Sequence, residues 1–432
     1  MQKEGRFSRA PDRGFFASFF RPLVVRVHVF APVAGGPLTQ YVAYLLPALL
    51  QLVDEARVES VTVTLSRPHY ESAFFAEYLE PFASRVSFDV IDLPFGNRFA
   101  AAIAMSQALL SAIARIRSDY VISVYADYGA SILALRCSVP GLGAALARVD
   151  SIGIVHHGHT GSVDGWRDRV RDGIHRMTRR LSPWSETFVV NPMLLEAIAS
   201  QGSYARGAHR LLPHPVERPR ALDRQAARAA LGIPQDGRYL AFVGSTDGRK
   251  AIPELLAAFR AADLAANDRL LIAGSLYEPH RALVRSAFAD LLASGRIVSI
   301  DRHLSSEEVG LAFLAADMVA VTYYPMDDLS ANLLSAIAAG RPVLANAHGY
   351  SKRMIAEFEL GWSCDICDPA AFAETIRRAM AGSATFEISE KTRRLIEFHR
   401  PENYTETVLS RLKRRLGIEP ADVRSWEWVS SP

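Results

Sequence analysis

Cysteine is nearly missing from this chain of 432 residues: Cys137, Cys364 and Cys367 are its only three. That excludes a disulfide framework and points to a reducing compartment. Lysine is scarce too, confined to Lys3, Lys250, Lys352, Lys391 and Lys413, so arginine supplies most of the cations. Neither sign of charge is in excess, since 49 Lys plus Arg face 46 Asp plus Glu for a net +3. No basic field of the kind that nucleic acid selects is therefore present. No run reaches the roughly 18 apolar residues that span a bilayer. The N-terminal Phe15-Phe16-Ala17-Ser18-Phe19-Phe20 group is cut by Arg21 and Pro22 before it can serve as a secretory signal. What remains is 49% hydrophobic and 22% charged, a cytoplasmic-looking globular chain long enough for two or three domains.

Short apolar runs rich in branched side chains alternate with longer amphipathic stretches, the pattern of βαβ units and a parallel sheet. Val24 to Phe30, Val61 to Leu65, Val86 to Ile91, Val121 to Tyr125, Ile152 to Val155 and Thr187 to Val190 read as strands of a first domain. His214-Pro215-Val216-Glu217-Arg218-Pro219-Arg220 reads as a linker, because two prolines remove backbone donors among charged residues. The alternation restarts with Tyr239 to Val243, Leu270 to Ala273, Ile297 to Ile300, Met318 to Thr322 and Pro342 to Ala345. The expected architecture is α/β, with two doubly wound Rossmann-like domains at residues 1–212 and 222–395 and a helical return at 396–432. A ligand cleft belongs between them, facing the carboxyl ends of the strands.

Four groups of residues fall at strand ends. Gly35-Gly36, after the first strand, lets backbone approach a ligand and opens a helix whose free N–H groups suit an anion. Gly244-Ser245-Thr246-Asp247-Gly248-Arg249-Lys250 precedes another helix; its spacing is not that of a P-loop, but a flexible ammonium beside a helix N-terminus suits a diphosphate. Asp327-Asp328-Leu329-Ser330-Ala331-Asn332 places two carboxylates and a plausible cap, Ser330, before a helix that ends at Gly340. His156-His157-Gly158-His159 follows the strand Ile152 to Val155. Adjacent side chains of an extended segment point apart, so a histidine at a cleft mouth serving a sugar or a proton is favoured over a metal site. Cys364-Asp365-Ile366-Cys367 has half the spacing of a zinc site but no second pair of ligands. Pro140 to Ala145 lacks the third glycine of a dinucleotide fingerprint.

Taken as a set, these residues resemble the GT-B glycosyltransferases of the large retaining family 4. Phe242-Val243-Gly244, Lys250-Ala251-Ile252 and Leu255 to Phe259 look like that family's phosphate-binding segment and its helix. Leu271 to Ser275, Val298 to Val309, and Leu333 to Val343 followed by Gly349, Ile355 and Gly361 continue the match. The resemblance implies a UDP- or GDP-linked sugar donor held mostly by the second domain, a glycan or lipid-linked acceptor held by the first, and no metal or other cofactor. By position, Lys250 would contact the diphosphate, Asp327 and His157 the donor sugar, and Gly35 and Gly36 the phosphates. Arg302 and His303, in the loop Ile300 to His303, would face the base. The amides of Ala331 and Asn332 at the helix starting near Ser330 would add to the anion site.

Three positions depart from the family. Ser245 replaces a phosphate-binding arginine, for which the nearby Arg249 is a substitute. Ser335 replaces the second glutamate of the paired-acid motif, and Ala251 replaces a glycine. The function expected is sugar transfer with retention in surface polysaccharide or glycoconjugate synthesis. The alternatives are a catalytically weakened GT-B scaffold subunit and, further off, a nucleotide-sugar epimerase. Phe15 to Phe20 and the Arg-rich stretch from Arg411 to Arg415 would suit peripheral membrane contact. Nothing in the sequence sets the oligomeric state.

Overall fold

The computed structural model describes residues 25–94, 97–127, 129–157, 166–200, 208–324 and 328–430. The expectations placed on Phe15 to Phe20, His159 and Asp327 lie outside these residues.

The first sheet contains β1 (Val25–Phe30), β2 (Val58–Ser66), β3 (Ser87–Ile91), β4 (Tyr120–Ser123), β5 (Asp150–Val155), β6 (Glu186–Val189) and β7 (Ala208–Leu211). All seven strands are parallel, in the order β3-β2-β1-β4-β5-β6-β7. The second sheet contains β8 (Tyr239–Val243), β9 (Arg269–Ala273), β10 (Ile297–Ile300), β11 (Met318–Val321), β12 (Val343–Asn346) and β13 (Gly361–Cys364). These six are also parallel, in the order β10-β9-β8-β11-β12-β13. Helices cover both faces of each sheet, so the central strands are apolar on both sides. In β1, Val27 and Val29 pack with Leu45 and Leu49 on one face, while Phe30 joins Met105, Leu109 and Val121 on the other. β7 and β13 were not foreseen from the sequence. Both are four-residue edge strands, Ala-His-Arg-Leu and Gly-Trp-Ser-Cys, without the branched apolar run that marks a central strand.

One composition reading needs correcting. The stretch Phe99–Ile116 does reach the length and apolarity that a membrane span requires. It forms most of the helix Arg98–Ile116, which connects β3 to β4 and packs Met105, Leu109, Leu110 and Ile113 onto the sheet.

The chain crosses between the domains at 212–222 and again near His399. After the second crossing the helix Pro401–Arg415 returns to the first domain. There Tyr404, Val408, Leu409 and Leu412 enter its core against the helix Gly36–Asp54. Tyr404 Oη donates to the Tyr41 carbonyl (3.2 Å) and Thr405 Oγ1 to the Tyr44 carbonyl (3.0 Å). Arg411 pairs with Asp150 (2.7 Å), Lys413 with Glu406 (2.5 Å), and Arg415 donates to the Asp119 carbonyl (2.9 Å). Three of the cations offered for membrane contact are thus engaged within the protein. The last helix, Trp426–Ser430, packs back on the second domain through Trp426 against Phe358 and Phe398.

Where the two crossings meet, imidazoles are sealed inside. Tyr41 Oη and His214 Nδ1 are 2.6 Å apart, and the His214 backbone N–H donates to His399 Nδ1 (2.9 Å). Burial drives His214 well below the usual imidazole range and His399 down to about 3. An unfolded histidine titrates near 6.5, so below that pH the unfolded chain binds more protons and folding stability falls. Each such imidazole contributes a slope of about 1.4 kcal/mol per pH unit between its two values. His399→Gln should flatten the loss of stability between pH 6.5 and 5, measured as the shift of the urea midpoint with pH; an unchanged slope would show that His399 is not buried neutral.

Candidate functional site

Each sheet reverses its winding once, between β1 and β4 in the first domain and between β8 and β11 in the second, and the loops leaving those strands open a crevice at the carboxyl edge. In the second domain the loops after β8 and β9 are pressed together. Gly244 has φ +102° and Gly274 φ +137°, and a Cβ on Gly274 would lie 2.5 Å from the Gly244 carbonyl carbon. Only glycine permits both the conformations and the approach. From there the chain runs to Lys250, which pairs with Tyr323 beyond β11, while Ala251 N–H donates to the Thr322 carbonyl (2.9 Å). This short ladder fixes the backbone of Lys250 against the opposite loop.

The Lys250 side chain is 9% exposed. Its ammonium donates to the Ser245 carbonyl and lies 5.5 Å from the Phe242 ring centroid and 5.7 Å from that of Tyr323. Among the described residues no carboxylate pairs with it. Burial lowers its pKa to about 8, with Asp247 opposing the shift. Next to it starts the helix Ala331–Ala338, capped by Ser330, whose Oγ accepts from Leu333 N–H (3.4 Å). The first-turn amides of Ala331 and Asn332 have no acceptor within the helix, so a partial positive charge faces the crevice. Ser335, one turn further along, is half-buried.

The first domain supplies the facing wall. Gly35 and Gly36 open the helix Gly36–Asp54 without a side-chain cap. The turn is braced from below: Thr39 Oγ1 donates to the Gly35 carbonyl (2.9 Å) and meets His69 Nε2 (2.8 Å), and His69 Nδ1 meets the Ala31 carbonyl (2.9 Å). A Cβ on Gly36 would come within 3.1 Å of the Phe74 ring. Phe74 in turn makes an edge contact with His303 of the second domain at 5.4 Å. Beside it Glu77 accepts from the backbone N–H of Ser306 (2.7 Å).

After β5, Asp127 receives the backbone N–H groups of His156 (2.8 Å) and His157 (3.2 Å). Burial raises its carboxyl to about 6. His156 turns inward against Tyr41 and Tyr125, with Nε2 at the Val124 carbonyl (2.7 Å), and burial lowers it to about 4. His157 turns outward, and its Nδ1 lies 3.0 Å from Asp328 Oδ2 across the cleft. That hydrogen bond raises the imidazole pKa.

The structure thus brings together Gly35, Gly36 and His157 on one wall and Lys250, Ser330, Ala331 and Asn332 on the other. Two side-chain expectations are corrected. Arg249 lies on Asp247 (2.9 and 3.2 Å), and its charge is spent on that neighbour rather than standing in at Ser245. Arg302 is held by Glu308 (2.5 and 2.9 Å), which also closes the cap of the helix Ser306–Ala315, so its guanidinium is tied to the helix start. The Asn332 amide donates to the Val243 carbonyl (2.6 Å), leaving only its backbone N–H for a ligand. Ser245 contributes a carbonyl rather than its hydroxyl to Lys250. Sequence reasoning missed Asp127, Asp328 and Tyr323 as members of the cleft. Asp328 stood beside Asp327 in the motif, whereas Asp127 lay in a loop with no pattern to single it out. Among the described residues no group of three or more His, Cys, Asp or Glu is placed to hold a metal ion.

Residues 223–400 match the family model "Glycosyl transferases group 1". The second domain is therefore similar to the group 1 glycosyltransferases, and the two-domain architecture is that of the GT-B fold. D-inositol 3-phosphate glycosyltransferase of Mycobacterium tuberculosis is 32% identical over 209 residues, 45% of this chain. The match takes in 41% of that relative's own length. Among solved structures, sucrose-phosphate synthase from Thermosynechococcus elongatus superposes with a TM-score of 0.64 at 19% identity, covering 91% of this chain and 99% of the other. Anabaena HepE in complex with UDP-glucose gives 0.56 at 13% identity, covering 90% and 100%.

The contact between His157 and Asp328 has a direct readout. In Asp328→Asn the imidazole loses its anionic partner, and its NMR titration midpoint should fall to the ordinary histidine value of about 6.5 or below. A midpoint that stays put would mean the two walls do not meet there in solution.

Proposed function

We propose that this protein transfers a sugar from a nucleoside diphosphate to a hydroxyl acceptor, with retention at the anomeric carbon, and that the nucleotide is UDP. The observation that carries this reading is the buried ammonium of Lys250 beside the open amides at the start of Ala331–Ala338. A cation that burial makes easier to deprotonate is costly without an anion, and a diphosphate supplies one. As the bond between the sugar carbon and the phosphate oxygen breaks, the electron pair leaves with the diphosphate, and negative charge grows where Lys250 and the helix amides lie. No metal is needed for that, since the fixed dipoles and the ammonium can share the charge. His157, whose imidazole Asp328 makes easier to protonate, serves the sugar from the first-domain wall, Asp327 is assigned to the sugar by its place in the motif alone, and Gly35 and Gly36 admit the phosphates from the first domain. UDP is favoured over GDP because solved structures of the same fold hold UDP or UDP-glucose. The acceptor is a glycan or a lipid-linked glycan. One neighbour with a TM-score of 0.56 is a glycosyltransferase involved in lipopolysaccharide biosynthesis.

A second reading, a scaffold subunit that binds nucleotide but no longer transfers sugar, is favoured by one observation: Arg249 is neutralised by Asp247 where a free arginine was wanted. Titration calorimetry with UDP, GDP and ADP separates the readings when paired with a transfer assay on UDP-sugars. Lys250→Ala should weaken UDP binding and lower transfer by about 10²–10³. UDP affinity should also fall as pH rises through about 8, by up to tenfold per unit, because the ammonium that pairs with the diphosphate is lost. Full transfer in Lys250→Ala would overturn the donor assignment, and UDP binding without transfer would favour the scaffold.

A further inference from the structure

The helix Trp166–Arg180 is turned the wrong way for a domain surface. Trp166, Val170, Ile174, Met177 and the following Leu181 recur at intervals of four, four, three and four, the spacing of a single helical face. Such a stripe ordinarily faces the core. Here these five residues are exposed, Trp166 by 69% and Met177 by 53%. A polar position meets the neighbour instead: Thr178 Oγ1 lies 2.7 Å from Ser131 Oγ of the helix Ala130–Ser138. That helix adds Leu135 to the outer surface, and Arg98–Ile116 packs beside it and adds Phe99, 65% exposed. The apolar area therefore spans three adjacent helices, more than an isolated surface residue accounts for.

Two further observations select the occupant. Residues 166–180 hold six arginines against two aspartates, so this helix carries a net positive charge. A second copy of this chain would bring two helices of like net charge together, which argues against a symmetric dimer through this surface. An anionic bilayer surface satisfies both features, apolar side chains entering the headgroup boundary while the net positive charge of the helix is drawn to lipid phosphates. In a parallel sheet the helix after a strand begins at the carboxyl edge, so Trp166 and Phe99 stand at the same end of the sheet as His157 and the cleft.

We propose that the outer face of the helices 98–116, 130–138 and 166–180 docks on an anionic membrane surface, with the mouth of the cleft toward the headgroups. Docking by itself is independent of the transferase reading; only its use for presenting a lipid-linked acceptor rests on that reading.

The test is co-sedimentation of the full chain with vesicles of phosphatidylcholine alone and of phosphatidylcholine mixed with phosphatidylglycerol. The expected result is capture by the anionic vesicles, weakening as salt is raised. Capture should fall at least about tenfold in Val170→Ser with Met177→Ser, two exposed positions whose change leaves the core intact. UDP binding by calorimetry should be the same in that variant, which separates failure of docking from failure of the active site. No preference for anionic vesicles, or undiminished capture of the variant, would overturn the proposal. So would a dimer in sedimentation velocity that the double substitution dissolves, since a second copy would then cover the face.

Discussion

Lys250 is the constraint around which the cleft is organised. Its ammonium is sealed between the Phe242 and Tyr323 rings, and among the described residues its one hydrogen-bond partner is a carbonyl, that of Ser245. Holding it there requires the glycine pair Gly244 and Gly274 to seat the loop, the short ladder to Tyr323, and the Asn332 amide to pin the helix start to β8. Each of these features spends residues on fixing a charge that burial disfavours. Stability alone gives no reason for such an arrangement, and the diphosphate of the proposed donor would supply one.

The remaining geometry follows from how the two domains meet. Parallel strands send every loop of interest to the carboxyl edges, and the return of Pro401–Arg415 to the first domain ties the two crossings together. Tyr41 links that hinge to the cleft, since its hydroxyl meets His214 while its ring stacks near His156, the residue before His157. Across the cleft mouth the contacts are lighter: His157 with Asp328, Phe74 with His303, and Arg353 with Glu196 at 2.6 and 2.8 Å. Exposed pairs of this kind are each worth about 0–1 kcal/mol, which suits walls that must part to admit and release ligands.

Much of the framework was legible in the sequence because central parallel strands are buried on both faces and so read as apolar runs. β8 lies at the residues that the pattern marks, and so does the edge strand β10, which keeps the branched run Ile-Val-Ser-Ile. β7 and β13 were missed because these two edge strands, Ala-His-Arg-Leu and Gly-Trp-Ser-Cys, lack such a run. For the cleft, glycines and cations at strand ends pointed to the right loops. What one-dimensional reasoning missed was pairing: Asp247 takes Arg249, Glu308 takes Arg302, and Val243 takes the Asn332 amide, all set by backbone geometry that spacing does not encode. The same limit hid the outward stripe of Trp166–Arg180, whose periodicity shows an amphipathic helix but not which face meets the protein.

The most direct test of the central claim is a crystal structure of the protein with UDP. The account predicts that the diphosphate lies within hydrogen-bonding distance, about 3 Å, of Lys250 Nζ and the Ala331 and Asn332 amides, with Nζ drawn away from the Ser245 carbonyl. UDP bound elsewhere, or bound in the cleft with Lys250 still turned to Ser245, would contradict it.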